Sequence, residues 1–305
     1  MRKSLRTSLM LLAGALVLAG CSASRGDARD VAGGEVVVEA LVDAPDQYFT
    51  SDDATIRYRA IGEGAPVLLL HGYTDRVEMW AGTADSLAQD FRVIVPDIRG
   101  FGLSTKFADP ARYGRKMVED VVRLLDHLEL ESAHVVGYSM GAAVTANLAL
   151  DHPARVRTAS LVAGPFYPDS TTAADLFQPF VVAQERGEGL GPFFRWILPT
   201  WSDSAINEVL PMLEATNDSA ALIASLRALP GLMIDSARLA TARTPTFAIV
   251  SVKDRLFEQS RFLARAWPGI RLVELQERDH ADIFLATELI SGFRELVEGS
   301  PRDEP

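Results

Sequence analysis

The chain is predicted to fold as an α/β protein, with a mostly parallel central sheet flanked by helices and a helical cap insertion. Three observations predict this. Several apolar runs, such as Val67-Leu68-Leu69-Leu70, do not alternate with polar residues, the pattern of strands buried on both faces. These runs alternate with segments of helical spacing, as in crossover-connected parallel sheets. Finally, residues 166–242 separate two expected strands, where connections usually run to about two to six residues outside the helix.

In chain order, Tyr48–Ser51 and Thr55–Ala60 read as a hairpin turning at Asp52-Asp53. Buried strands follow at Pro66–Leu70, Arg92–Pro96 and Ala133–Tyr138, then at Arg157–Ala163, Thr246–Ser251 and Ile270–Leu275. Helical spacing fits Ala81–Gln89, Gly114–Leu128, Met140–Asp151 and Glu288–Val297. Within the long middle segment, Ala205–Leu213 and Ser219–Leu229 carry helical spacing, although Pro211 weakens the first. The expected division is a core of 47–165 and 243–300 with a cap of 166–242. A chain of 305 residues suits one large domain with such an insertion.

Five residues carry the chemistry: Gly137-Tyr138-Ser139-Met140-Gly141. They join a β-rich run to a helix of small residues. A serine on a sharp strand-to-helix turn, with glycine two before and two after, is the pattern of a nucleophile elbow. The glycines leave room where the turn brings the chain against itself.

The order of elements and motifs resembles the α/β-hydrolase superfamily. The markers are His71-Gly72-Tyr73 after one strand, Asp97 to Ser104 after the next, the elbow, Asp254 after a late strand and His280 near the end. The resemblance covers residue 48 to the last helix, less the insertion. It implies a triad in the order serine, acid, histidine.

A serine hydroxyl needs a base at neutral pH, and imidazole suits it. Of the five histidines, His71, His127 and His134 precede the serine, and His152 ends the helix on its far side. Only His280 lies after the last strand and before the last helix, and the family order selects it too. Asp254, just past a strand end, is the expected acid, with Asp169 its rival. Asp279 and Asp282 are too close in sequence to His280 to point at its ring, and Asp97 is expected to shape its own glycine loop. The backbone N–H groups of Met140 and, by family analogy, Tyr73 are the expected oxyanion donors.

The insertion is rich in aromatic residues, and most of them are expected to pack the cap onto the body. Phe177 and Trp196, with Trp80 after the oxyanion loop, are the expected pocket lining. These features together predict a serine hydrolase acting on a small-molecule carboxylic ester, with no metal and no cofactor called for. A serine at the elbow argues against family branches that use aspartate there. A cofactor-free haloperoxidase, a carbon–carbon bond hydrolase and a non-catalytic binding protein are the alternatives. The last would be expected to lack a triad member.

The first residues are expected to be a targeting segment. Arg2, Lys3 and Arg6 precede an apolar run, Leu9 to Gly20, too short for a bilayer span of about 20 residues. It ends in Leu18-Ala19-Gly20-Cys21, which resembles the lipobox of bacterial lipoproteins. That resemblance implies cleavage before Cys21, lipid on that cysteine and membrane attachment through it. Ser22 then favours the outer membrane in a Gram-negative cell. Residues 21–46, rich in Ala, Gly and Asp, are expected to form a tether. Cys21 is the only cysteine, so no intramolecular disulfide is possible. The net charge is −11 and no basic run follows residue 6, which argues against nucleic acid as a partner.

Overall fold

The computed structural model describes residues 40–167 and 169–300. The expectations for 1–20, Cys21 and most of the tether lie outside these residues. The tether expectation fails at its end. Leu41 is fully buried, and its N–H donates to Asp85 at 2.8 Å. Asp46 accepts from both Arg57 and Arg59, at 2.8 and 2.6 Å. An apolar side chain and a carboxylate pinned by two guanidiniums cannot swing freely, so the body begins before residue 47.

Eight strands form one sheet. They are β1 (Gln47–Ser51), β2 (Ala54–Ile61), β3 (Ala65–Leu70), β4 (Phe91–Pro96), β5 (Ala133–Tyr138), β6 (Val156–Val162), β7 (Thr246–Ser251) and β8 (Arg271–Leu275). Their order is β1-β2-β4-β3-β5-β6-β7-β8. β1 and β2 form the antiparallel hairpin, and β2 runs antiparallel to β4. From β4 to β8 every pair is parallel. β5 is buried along its whole length, which is why its sequence does not alternate.

Helices cover both faces: α1 (Ala81–Leu87), α2 (Arg115–His127), α3 (Met140–Asp151), α9 (Phe257–Ala266) and α10 (Thr287–Gly299). Between β6 and β7 lie the cap helices α4 (Ser170–Glu185), α5 (Gly191–Ile197), α6 (Asp203–Thr216), α7 (Ser219–Ala228) and α8 (Ser236–Leu239). Prolines sit inside α4 and α6, yet neither helix breaks. In α6, buried Ile206, Val209 and Leu213 hold the helix on both sides of Pro211, so packing outweighs the one backbone bond proline removes.

Candidate active site

Ser139 sits between β5 and α3 with φ 51° and ψ −116°. A non-glycine residue at positive φ stores strain of order 1–3 kcal/mol, which the surroundings must hold. A Cβ at Gly137 would lie 2.2 Å from the Gly141 carbonyl oxygen, and one at Gly141 would lie 2.3 Å from that of Leu70. Both glycines are therefore steric requirements of the turn. The Ser139 N–H donates to Val162 O at 2.8 Å, which fastens the turn to β6.

His280 arrives from the loop between β8 and α10. Its Nε2 lies 3.1 Å from Ser139 Oγ, and its Nδ1 lies 2.8 Å from Asp254 Oδ2. The carboxylate calls for a proton on Nδ1, which leaves the Nε2 lone pair to accept from the serine hydroxyl. Asp254 and His280 are both buried. Asp254 is itself oriented, because its Oδ1 accepts from the Leu256 N–H at 2.8 Å. The Tyr138 hydroxyl donates to His280 O at 2.6 Å and fixes the loop from below.

The other four histidines have different surroundings. His71 Nε2 accepts from the Ile98 N–H and its Nδ1 donates to Gly72 O, both at 2.8 Å. Burial lowers its pKa, consistent with a neutral ring that braces the oxyanion loop. His127 stacks on Phe49, His134 bonds Thr158 and His152 faces Glu119. Asp169 caps α4, with its carboxylate accepting from the Thr172 N–H, and lies exposed. Asp279 accepts from Trp201 Nε1 at 2.8 Å, and Asp282 accepts from the Asp279 N–H. Asp97 accepts from Val77 N–H, Leu103 N–H and Arg57.

The expected oxyanion donors are the N–H groups of Tyr73, on the loop after β3, and of Met140, the residue after Ser139. Met140 opens α3, where the first N–H groups have no intrahelical acceptor. Ser139 and His280 open onto a cavity of about 40 Å³. Phe193, Phe194, Ile197 and Leu198 of the α5 region, Leu213 of α6, and Phe284 form its apolar walls.

The three side chains expected to line this pocket do not. Trp80 is fully buried and packs edge-on against Phe284, at 6.0 Å between ring centres, on the far side of the lining. Phe177 is wedged between Tyr167 and Trp196, at 6.0 and 6.4 Å. Trp196 turns outward and lines a separate open groove with Tyr167, Leu176, Arg255 and Phe262. Successive residues of a helix point about 100° apart, so Phe194 and Ile197 face away from Trp196, while Phe193, one turn earlier, lies beside the Trp196 ring at 6.1 Å and still reaches the cavity. The aromatic run alone could not choose among them. The carboxyl of Asp75, four residues after His71, also lines the cavity and was missed.

The chain belongs to the α/β-hydrolase fold family. The family model, described as alpha/beta hydrolase fold, matches residues 65–233. A putative carbamate hydrolase of Azorhizobium caulinodans is 29% identical, covering 81% of this chain and 97% of its own. A 2-hydroxymuconate semialdehyde hydrolase of a Pseudomonas species is 42% identical over 35% of this chain and 40% of its own. The chain spans less than half the length of several curated relatives it matches. A solved hydrolase from Pseudomonas aeruginosa aligns over 84% of this chain and 98% of its own, at 25% identity and TM-score 0.69.

Among the described residues, no group of three or more His, Cys, Asp or Glu side chains is placed to share a metal ion. Among them also, no helix is long and apolar enough to cross a membrane.

Proposed function

We propose that the protein is a serine hydrolase that cleaves small carboxylic esters through an acyl-enzyme. The observation that carries this is the unbroken relay from Asp254 through His280 to Ser139, ending at a small, largely apolar cavity.

In the first step the Ser139 oxygen attacks the ester carbon while its proton passes to His280 Nε2. The carbonyl oxygen becomes an oxyanion, met by the N–H groups of Met140 and Tyr73. The C–O bond to the alcohol then breaks, and the departing oxygen takes the proton from His280. A water next gives its proton to His280 and attacks the acyl carbon. Release of the acid returns the proton to Ser139. Asp254 holds the ring and stabilises the imidazolium in both halves.

The cavity favours small acyl groups. A water needs roughly 10–15 Å³ of such space, so about 40 Å³ admits an acetyl-sized group without movement of the cap. The carbamate and semialdehyde hydrolase relatives keep carbamate and carbon–carbon cleavage as the readings to be tested against ester cleavage. A fluorophosphonate probe should label the wild type and not Ser139→Ala; labelling of both would remove Ser139 as nucleophile. A panel of acetate esters, carbamates and β-diketones would then rank the reactions. Fastest turnover of a diketone would replace the ester reading. Peroxide-dependent halogenation, tested alongside, would mark the haloperoxidase alternative.

Lipid on Cys21 is proposed as the anchor that places this site on the cell envelope, on the strength of the Leu18-Ala19-Gly20-Cys21 run. Radiolabelled fatty acid should enter the wild type and not Cys21→Ala. Cleavage of the signal without incorporation of label would refute the anchor.

A further inference from the structure

Asp75 has no part in the relay, yet it shares the cavity with Ser139 and His280. It lies on the loop that follows β3. Its Oδ2 would be 3.1 Å from a Cβ built on Gly72, so the carboxyl leans over the chain that presents the Tyr73 N–H. The nearest cation in sequence, Arg76, pairs with Glu78 instead, at 3.1 Å. Among the described residues no hydrogen bond or ion pair is made to the Asp75 carboxyl, and no Lys or Arg lines the cavity. Apart from Thr74, Ser139 and His280, the residues it shares the cavity with are aromatic or aliphatic. A carboxyl left without a partner among apolar walls costs stability, and its open side faces the space where substrate must sit.

The geometry points to Asp75 as a specificity-determining residue that turns away substrates carrying a negative charge and admits neutral or cationic ones. This rests on the reading of Ser139 as nucleophile. Among the described residues lining the cavity, the only other acidic or basic side chain is His280, with Asp254 behind it. A negative group brought into the cavity would meet the Asp75 carboxyl and no lysine or arginine. Two like charges a few ångströms apart in a protein site repel strongly enough to cost about tenfold or more.

The preference should strengthen with pH. Burial pushes the Asp75 pKa up to about 7, against a smaller opposite pull from His280 and Arg76. The carboxyl is therefore neutral in mild acid and charged in mild base. Tyr138, beside it, is held protonated by burial across this range. Asp279 and Asp282 lie on the histidine loop. Burial raises the pKa of Asp282, and its carboxyl is engaged by the Asp279 N–H and Arg278. Both esters pass through the same triad, so the pH dependence they share cancels from a ratio of two esters measured together.

The test uses three aryl acetates with one acyl group and different charge: phenyl acetate, 4-acetoxybenzoate and 3-acetoxy-N,N,N-trimethylanilinium. kcat/KM is measured for the full chain, wild type and Asp75→Asn, from pH 5.5 to 8.5. In the wild type, the anionic-to-neutral ratio should fall about tenfold as pH rises through 7, and the cationic-to-neutral ratio should rise. In Asp75→Asn both ratios should be flat. Asp75→Ser should repeat that flatness, and a cooperative thermal transition would certify the fold of each variant. Ratios in either variant that track the wild type, with Ser139 still labelled by fluorophosphonate, would overturn the role of Asp75 alone. A wild type whose Ser139 is not labelled would overturn the nucleophile and this inference together.

Discussion

In the sheet, position is fixed by hard contact and buried charge; in the cap, it is fixed by aromatic rings filling space. At the elbow, Gly137 and Gly141 stand where any side chain would collide with backbone. Nearby, the buried Arg57 guanidinium is shared by Asp46, Glu78 and Asp97, and Arg99 is held by Asp120 and Asp53. Removing one partner would strand a buried charge, so these contacts tolerate little change. The cap has few such constraints. Phe177, Phe180, Phe193 and Trp196 meet edge-on or tilted at 5.2 to 6.4 Å, contacts that a modest shift can re-form. The difference puts the candidate triad in the rigid part and most of the cavity's apolar walls in the adaptable part.

The largest effect that would break this comparison is at the elbow. Ser139→Ala should lower kcat by on the order of 10⁶-fold in steady-state ester hydrolysis, with an unchanged melting temperature. Substantial residual turnover would mean that the sheet does not carry the nucleophile.

The next test sharpens the boundary inside the cap. Phe177 is buried away from the cavity, whereas Phe193 lines it. Phe177→Ala should cost about 3–5 kcal/mol in chemical denaturation and leave the ranking of acyl lengths alone. Phe193→Ala should widen the cavity and move the preferred acyl group towards longer chains, read from kcat/KM across graded esters. Exchange of the two outcomes would return the pocket to the face marked by Phe177 and Trp196.

The unequal legibility of the two regions has the same physical origin. The strands of the core were readable because burial on both faces leaves no polar alternation, and the elbow because glycines at fixed offsets report a backbone conformation. Ser139, His280 and Asp254 follow from chain order along a sheet whose loops collect at one edge. The cap was readable as an apolar insertion but not as a pocket, because a helix rich in aromatics buries some on each face. Pro211 weakened the reading of α6, since its cost is local and the packing that offsets it is not. Asp75 carried no periodic signal at all. A lone carboxyl on a loop becomes conspicuous only when its surroundings prove to be apolar.

A smaller effect tests whether the site's own carboxyl burdens the rigid part. The Asp75 pKa is raised by burial to about 7 from 3.8, so the folded state holds that proton longer than the unfolded chain. Between these values the unfolded state binds fewer protons, and stability falls as pH rises. The penalty is absent below about pH 4 and complete above about pH 7. Asp75→Asn cannot ionise. Relative to wild type, it should gain on the order of 2 kcal/mol at pH 8 and little at pH 4, by urea denaturation at both values. An equal change at the two pH values would mean that the carboxyl is solvated.

The smallest effect concerns how the two regions are joined. Each loop of the site is tied to the cap by a hydrogen bond: Arg255 donates to Trp196 O, Trp201 to Asp279, and Asn217 to Thr74 O. Tyr73 adds a buried fourth tie, since its hydroxyl accepts from Gln184 at 3.1 Å and donates to Leu222 O at 3.3 Å. Its N–H is also an expected oxyanion donor, so one residue touches both the cap and the reacting oxygen. Tyr73→Phe removes the hydroxyl and keeps the ring and the N–H. The loss should be about 0.5–1.5 kcal/mol of stability. If the tie holds the cap down, esters with acyl groups longer than acetyl should gain in kcat/KM relative to acetate, because a loosened cap admits them. Equal change for all acyl lengths would mean that the cap opens without pulling on this loop, and that the rigid and adaptable parts move independently.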